Sequence, residues 1–388
     1  VIAIVVGAGT LIAWVVLGGT TSFALERMVT VLIIACPHAL GLAVPLVTSI
    51  STTLAAKSGL LIRRRLALES ARNIDVVLFD KTGTLTKGEL GVTDIWPIDH
   101  NVAQVLTLAA SVEYGAEHPL AKAIVTKAKA DNIALLPVTD FVYRPGRGVE
   151  GLVQGKSIAV GGVELLKSKQ LNIPASLAAQ TEQAGFEGKT VVWVIQANQV
   201  IGAITTADLI REESHIAIKQ LQQMNIKVAM LTGDSPAVAQ YVAQALGITE
   251  YFAEVLPEHK VDKVKQLQLD GSKVAMVGDG VNDAPALTQA DIGIAIGAGT
   301  DVAIESAGVI LMKSDPRDIV KIIRLSRATY GKMVQNLIWA TGYNVIAIPL
   351  ATGLLGIILP AALGAVFMSI STIVVAINAQ FLRKLKLG

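Results

Sequence analysis

Four long apolar stretches, two at each end of the chain, limit what this sequence can fold into more than any other feature. They run from Val1 to Leu17, Leu25 to Ala56, Leu337 to Leu355 and Ile357 to Phe381. About 20 apolar residues of helix cross a bilayer core. Charges are nearly absent from these stretches, so each is predicted to span a membrane. Links around Thr20 and Gly356 make two helical hairpins, and Pro37 and Pro45 are expected to interrupt the second span. Lys57, Arg63, Arg64 and Arg65 follow the second span, and Arg383, Lys384 and Lys386 follow the fourth. The positive-inside rule puts both places, and the middle of the chain, in the cytoplasm. Hydrophobic residues at 52% and charged residues at 16% of the 388 agree with a membrane protein. A net charge of +2 with no basic, aromatic-rich patch argues against a nucleic-acid partner. The single cysteine, Cys36, cannot form an intramolecular disulfide. The chain starts at Val1 with no signal-peptide pattern, and reads as a fragment that begins inside a hydrophobic helix.

The middle alternates strands and helices. Val76-Val77-Leu78-Phe79, Val228-Ala229-Met230-Leu231 and Val274-Ala275-Met276-Val277 are short apolar runs, as buried parallel strands are. A helical pattern such as Ala237 to Leu246 separates the last two. This is an open α/β sheet, with ligands expected at the carboxyl ends of its strands. Between Thr86 and the next part of that sheet near Ile201 lies an insertion, predicted to be a smaller α+β layer. The expected division is 1–56 membrane, 57–86 and 201–333 the α/β domain, 87–200 the insertion, and 334–388 membrane.

The strand ends carry chemistry. Asp80 follows the first run and precedes a Thr-Gly-Thr turn. A carboxylate there is an exposed nucleophile, and its attack on a γ-phosphate gives an acyl phosphate. Thr82 stands two positions on, where a second aspartate would act as general acid or base; threonine cannot, so the phosphoenzyme persists. Thr232-Gly233-Asp234 ends another strand and precedes a helix, which suits phosphate. Lys260 supplies a cation for the transferring group. Asp279 and Asp283 follow the third strand. Asp80 and Asp279, beside Thr82 and supported by Asp283, form the expected Mg²⁺ site.

These motifs in this order make the chain resemble the P-type ATPases. Asp80-Lys81-Thr82-Gly83-Thr84-Leu85-Thr86, Thr232-Gly233-Asp234 and Gly278-Asp279-Gly280-Val281-Asn282-Asp283 match that family's signatures. The resemblance implies a haloacid-dehalogenase-like phosphorylation domain with Asp80, Lys81, Thr82, Thr232, Asp234, Lys260 and Asp283 as catalytic residues. Ala116-Glu117-His118-Pro119-Leu120 looks like the His-Pro signature of the heavy-metal subfamily. The resemblance then implies that Glu113, His118, Gly146 and Gly148 hold ATP. Gly162 stands where the family usually has asparagine, and Asp208 with Arg211 matches a family pair at the hinge.

Cys36-Pro37-His38 lies inside the second apolar stretch. An ionisable group there is a functional candidate, the proline opens the helix, and thiolate with imidazole suits copper or zinc. The last two spans add Asn336, Tyr343, Asn344, Met368, Ser369, Ser371, Thr372 and Asn378. Together these resemble the Cys-Pro-His class of copper-transporting P-type ATPases, the CopB-like group. The resemblance implies Cys36, His38, Tyr343, Asn344, Met368 and Ser369 as ligands of transported Cu⁺ or Cu²⁺. It also implies ATP-driven export across the plasma (inner) membrane, with a copper chaperone as a further partner. A Zn²⁺ or Cd²⁺ pump and a membrane-anchored phosphatase of the same fold are the alternatives. The family's Thr-Gly-Glu loop is absent from the sequence, so the chain is expected to lack the actuator domain and not to complete turnover alone.

Overall fold

The structure, a computed structural model, describes residues 2–36, 38–297 and 301–387. It divides into two compact units, Val1–Asn73 with Gly308–Met312 and Asp318–Gly388, and Ile74–Ala307 with Lys313–Arg317.

The first unit opens with helices α1 (Ile2–Val16), α2 (Thr21–Ile34) and α3 (His38–Lys57), strand β1 (Leu60–Ile62) and the short helix α4 (Arg65–Ser70). Thr20 caps α2, its hydroxyl accepting from the Phe23 amide. The second apolar stretch is therefore two helices that part around Cys36. Pro37, expected to cause the break, lies outside the described residues. Pro45, also expected to interrupt the span, sits inside α3, which continues through it to Lys57.

The second unit begins with β2 (Val76–Asp80), which ends at the candidate nucleophile. The turn Lys81–Leu85 leads into β3 (Thr86–Pro97), then α5 (Val102–Glu113), α6 (Pro119–Ala130), β4 (Val138–Arg144), β5 (Gly148–Val153) and β6 (Lys156–Gly161). Next come α7 (Val163–Ser168), α8 (Ala175–Phe186), β7 (Thr190–Gln196) and β8 (Gln199–Ile210). These strands form one antiparallel sheet in the order β3-β8-β7-β6-β5-β4. A capping box starts α5: the Asn101 side chain accepts from the Gln104 amide, and the Gln104 side chain accepts from the Asn101 amide. The apolar faces of α5 and α6 cover the sheet through Val105, Leu106, Ile124, Ile158 and Val194. Ile201, expected in the parallel sheet, pairs instead within this one, because β8 runs unbroken to Ile210 alongside β3 and β7. The insertion thus extends past the boundary expected at residue 200.

The chain returns through α9 (Glu212–Gln223), β9 (Lys227–Leu231), α10 (Pro236–Leu246), β10 (Glu250–Phe252), α11 (Lys260–Leu269), β11 (Val274–Gly278), α12 (Ala284–Gln289) and β12 (Ile292–Ile296). Strands β12, β11, β2, β9 and β10 lie side by side and parallel. Val76, Leu78, Ala229, Leu231, Val274 and Met276 are buried between sheet and helices, which is why these strands read as continuous apolar runs. The register sets Asp80 opposite Leu231 and Phe79 opposite Val277. The loops after β2, β9 and β11 therefore open on one edge.

After α13 (Asp301–Ser306) and β13 (Val309–Leu311), α14 (Arg317–Ala351) and α15 (Ala361–Gln380) complete the first unit. There β13 pairs antiparallel with β1, α1 packs on α2, and α15 packs on α2 and α3. The expected boundary at residue 334 falls inside α14, a single helix of 35 residues. Among the described residues, two stretches, Thr21–Lys57 and Ala361–Lys384, are long and apolar enough to cross a membrane by length and composition. The first stretch is shorter, with 15 residues in α1, and the third is the end of a helix whose beginning is charged.

Candidate phosphoryl-transfer and ion sites

Asp80 ends β2 and is almost fully buried. Lys260, the first residue of α11, donates to Asp80 Oδ1 at 2.6 Å and to Asp283 Oδ1 at 2.7 Å. Asp279 completes the group: one carboxylate oxygen from each of Asp80, Asp279 and Asp283 lies within 4.8 Å of the others. Three carboxylates in so small a space disfavour one another's charge. Burial, then the neighbouring Asp283, pushes the Asp80 carboxyl up to about 7, against the pull of Lys260. Burial and Asp283 raise Asp279 as well. Burial works against the charged form of Lys260, but Asp80 and Asp283 outweigh it and its pKa is raised. Oxygen donors this close are what a hard divalent cation such as Mg²⁺ takes. Two glycines permit the approach. A Cβ at Gly83, where φ is +73°, would lie 1.8 Å from Asp279 Oδ2, and one at Gly278 would lie 2.5 Å from Asp283 Oδ2.

The turn after Asp80 is held from the other sheet. Thr86 donates to Asp208 Oδ2 at 2.5 Å, and Asp208 Oδ1 accepts from the Gly88 amide at 2.9 Å. Arg211 donates to the carbonyls of Thr86 and Gly83, and Ser214 donates to that of Leu85. Lys81 points away from Asp80 and pairs with Asp234 at 2.6 Å. The Thr232 hydroxyl donates to Asp234 and accepts from the Asp234 amide. Thr82 is exposed, and its side chain is not among the three clustered carboxylates. Of these residues, Ser214 was not legible in the sequence, where it stands in none of the signature motifs.

Glu113, His118, Gly146 and Gly148 line one pocket of about 200 Å³, together with Arg147, Gly162 and Thr190. His118 caps α6, its Nδ1 accepting from the Leu120 amide at 3.2 Å. That bond leaves the proton on Nε2, which is free to donate. Burial pushes the Glu113 carboxyl up to about 7. Gly148 has φ +124°, and a Cβ there would lie 2.0 Å from the Val160 carbonyl. Thr190 also lines a neighbouring cleft of about 350 Å³, which reaches Lys81, Asp208 and Asp234. The cleft connects the pocket to the edge that carries Asp80.

In the helical unit, Cys36 Sγ and His38 Nδ1 are 3.5 Å apart. Ala39 and Ala43 pack against Ala340 of α14 and Val375 of α15, which brings α3, α14 and α15 together beside them. Tyr343 Oη, Asn344 Oδ1 and Ser371 Oγ are buried with no hydrogen-bond partner. Met368 is half-buried. The placement of Ser369 differs from the expectation: it is exposed, and its hydroxyl donates to Ala365 of its own helix. The buried free hydroxyl belongs to Ser371, two residues on.

The family profile of haloacid dehalogenase-like hydrolases matches residues 74–291, more than half of the chain. The chain belongs to this family. A second profile of haloacid dehalogenase-like hydrolases matches residues 260–323. Within the family, the resemblance to P-type ATPases covers nearly the whole chain. The chain is 53% identical over 386 residues to a copper-exporting P-type ATPase B of Archaeoglobus fulgidus, covering 99% of this chain and 55% of that protein. It is 47% identical over 389 residues to a probable copper-transporting P-type ATPase B of Staphylococcus aureus, covering 99% and 57%. The chain thus spans little more than half the length of these relatives. Among solved structures, a zinc-transporting PIB-type ATPase in an E2.Pi state superposes with a TM-score of 0.82 at 36% identity, covering 97% of this chain and 62% of that one.

Only ionised carboxylates ligate a metal, so Mg²⁺ must compete with the proton on Asp80. Mg²⁺ affinity is expected to rise by about tenfold per pH unit below the Asp80 pKa if one proton is displaced. It is expected to level off above about 7. Calorimetric titration of the chain with Mg²⁺ between about pH 5.5 and 8 checks this; a flat profile contradicts it.

Proposed function

We propose that this chain is the membrane and catalytic part of a P-type ATPase that moves copper ions outward across the plasma membrane, with its catalytic domains in the cytoplasm. The observation that carries the reading is the Lys260 ammonium holding Asp80 and Asp283 at the edge of a parallel sheet. The same chain has a thiol and an imidazole 3.5 Å apart between apolar helices.

In this reading the adenine of ATP enters the Glu113–His118–Gly148 pocket, where His118 Nε2 donates to it. The phosphates run along the cleft toward Thr232 and Asp234. A carboxylate oxygen of Asp80 attacks the γ-phosphorus as the bond to the β-phosphate oxygen breaks, and ADP leaves. Lys260 neutralises charge on the transferring group. Asp80, Asp279 and Asp283 would hold Mg²⁺, which would supply positive charge to offset that of the phosphates. Thr82 has no carboxylate with which to activate water, which leaves the acyl phosphate long-lived enough to drive a conformational cycle.

Cys36, His38 and the unpartnered oxygens of Tyr343, Asn344 and Ser371 supply soft and intermediate ligands for the transported ion. The names of the relatives favour copper over zinc as this cargo. ATP hydrolysis by a protein carrying this chain, measured against Cu⁺, Ag⁺, Cu²⁺ and Zn²⁺, tests the reading. Copper is expected to stimulate most, and Cys36→Ala to raise the copper concentration required by about 10–100-fold. Stronger stimulation by Zn²⁺, or stimulation unchanged by Cys36→Ala, would contradict it.

A further inference from the structure

One charged side chain in the helical unit has no part in the scheme above. Arg27 lies in the apolar run of α2 and is fully buried. Its η1 nitrogen donates to the Leu359 carbonyl at 2.7 Å, and its η2 nitrogen pairs with the half-exposed Glu26 at 2.5 Å. Its Nε is buried with no hydrogen-bond partner. The Phe23 ring lies 5.3 Å from the guanidinium and meets Trp14 edge-on. Trp14 Nε1 donates to the Thr352 carbonyl at 2.7 Å. Gly353 lies against both: a Cβ there, where φ is +75°, would meet Arg27 Cδ at 3.2 Å and Trp14 Cζ2 at 3.4 Å. Arg27 and Trp14 therefore pin the loop between α14 and α15 onto α1 and α2.

The position of the clamp matters. Ala24, Arg27, Val31 and Ile34 form one buried stripe of α2. Val31 and Ile34 pack on Ala347 and Ala351 of α14, with Tyr343 and Leu359 at the margin of the same cluster. The stripe is thus the seam that starts beside Cys36 and Tyr343. Arg27 stands nine residues before Cys36, about 13 Å away along a helix at 1.5 Å per residue. The basic ends, after Lys57 and at Arg383 and Lys384, mark the opposite side. Arg27 therefore closes the outer end of the seam. A fixed guanidinium in a low-dielectric seam repels a cation, and a buried charge with an unpaired donor is costly to hold.

We propose that Arg27 is the outer gate of the ion path. While it holds the Leu359 carbonyl and Glu26, its charge and bulk bar exchange between the Cys36 site and the outer medium. When the loop between α14 and α15 moves off, the way out opens past the Glu26 carboxylate. The inference rests on the reading of Cys36 and His38 as the ion site, but its test needs no metal.

Cys36 is the only cysteine in the chain, so its thiol reports access directly. The full chain is placed in spheroplast membranes and treated from outside with a membrane-impermeant maleimide. Wild-type Cys36 is expected to react slowly. Arg27→Gln is expected to react about tenfold faster, the factor that corresponds to 1.4 kcal/mol of gate closure. Gly353→Ala, which strains the loop at positive φ and presses on Arg27 Cδ while keeping the guanidinium, is expected to give a smaller acceleration in the same direction. It serves as the second variant if Arg27→Gln does not insert. Labelling at the wild-type rate in every inserted variant would overturn the gate. Failure of copper to stimulate ATP hydrolysis by a wild-type protein that carries this chain would instead overturn the cargo and leave the labelling result standing.

Discussion

The catalytic edge depends on one ammonium group between two carboxylates. Lys260 binds Asp80 and Asp283 together, and the Asp279 carboxylate lies within 4.8 Å of both. Asp80 ends a strand of the buried parallel sheet, Asp279 and Asp283 follow β11 directly, and Lys260 starts α11, so strand register sets where these segments meet. Removing one partner of a buried ion pair typically destabilises by about 3–5 kcal/mol, since it leaves the other charge uncompensated. The cluster is therefore a strained arrangement that the sheet imposes. The same crowding that raises the Asp80 pKa makes the site receptive to a divalent cation and to a phosphate that brings one.

A second constraint joins this edge to the inserted domain. The turn after Asp80 is tied through Thr86 and Gly88 to Asp208 on β8, and through Gly83 and Leu85 to Arg211 and Ser214. The nucleophile and the sheet that carries the nucleotide pocket thus share one short piece of backbone. In the helical unit a comparable economy holds: α2 carries both the seam beside Cys36 and the arginine that closes it.

Much of this was legible in the sequence, for identifiable reasons. Strands β2, β9 and β11 are buried on both faces, so they read as unbroken apolar runs, and the functional residues follow directly after them. The length of the insertion was not legible. Thr86-Lys87-Gly88-Glu89-Leu90-Gly91 of β3 shows no period of two, and its pairing with β8 joins residues more than a hundred positions apart. Partners such as Thr86 and Asp208, or Lys81 and Asp234, leave no local trace for the same reason. In α15, apolar residues surround the whole helix, so nothing in the sequence separates exposed Ser369 from buried Ser371. Arg27 was hidden because two adjacent charges, Glu26 and Arg27, near the start of an apolar run look like the end of a span.

The central claim is that Asp80 becomes phosphorylated. Incubating the chain with Mg²⁺ and γ-labelled ATP, quenching in acid and mapping the labelled peptide tests it most directly. A hydroxylamine-sensitive label is expected on Asp80 and is expected to disappear in Asp80→Asn. Label that persists in Asp80→Asn, or that maps to another residue, would contradict it.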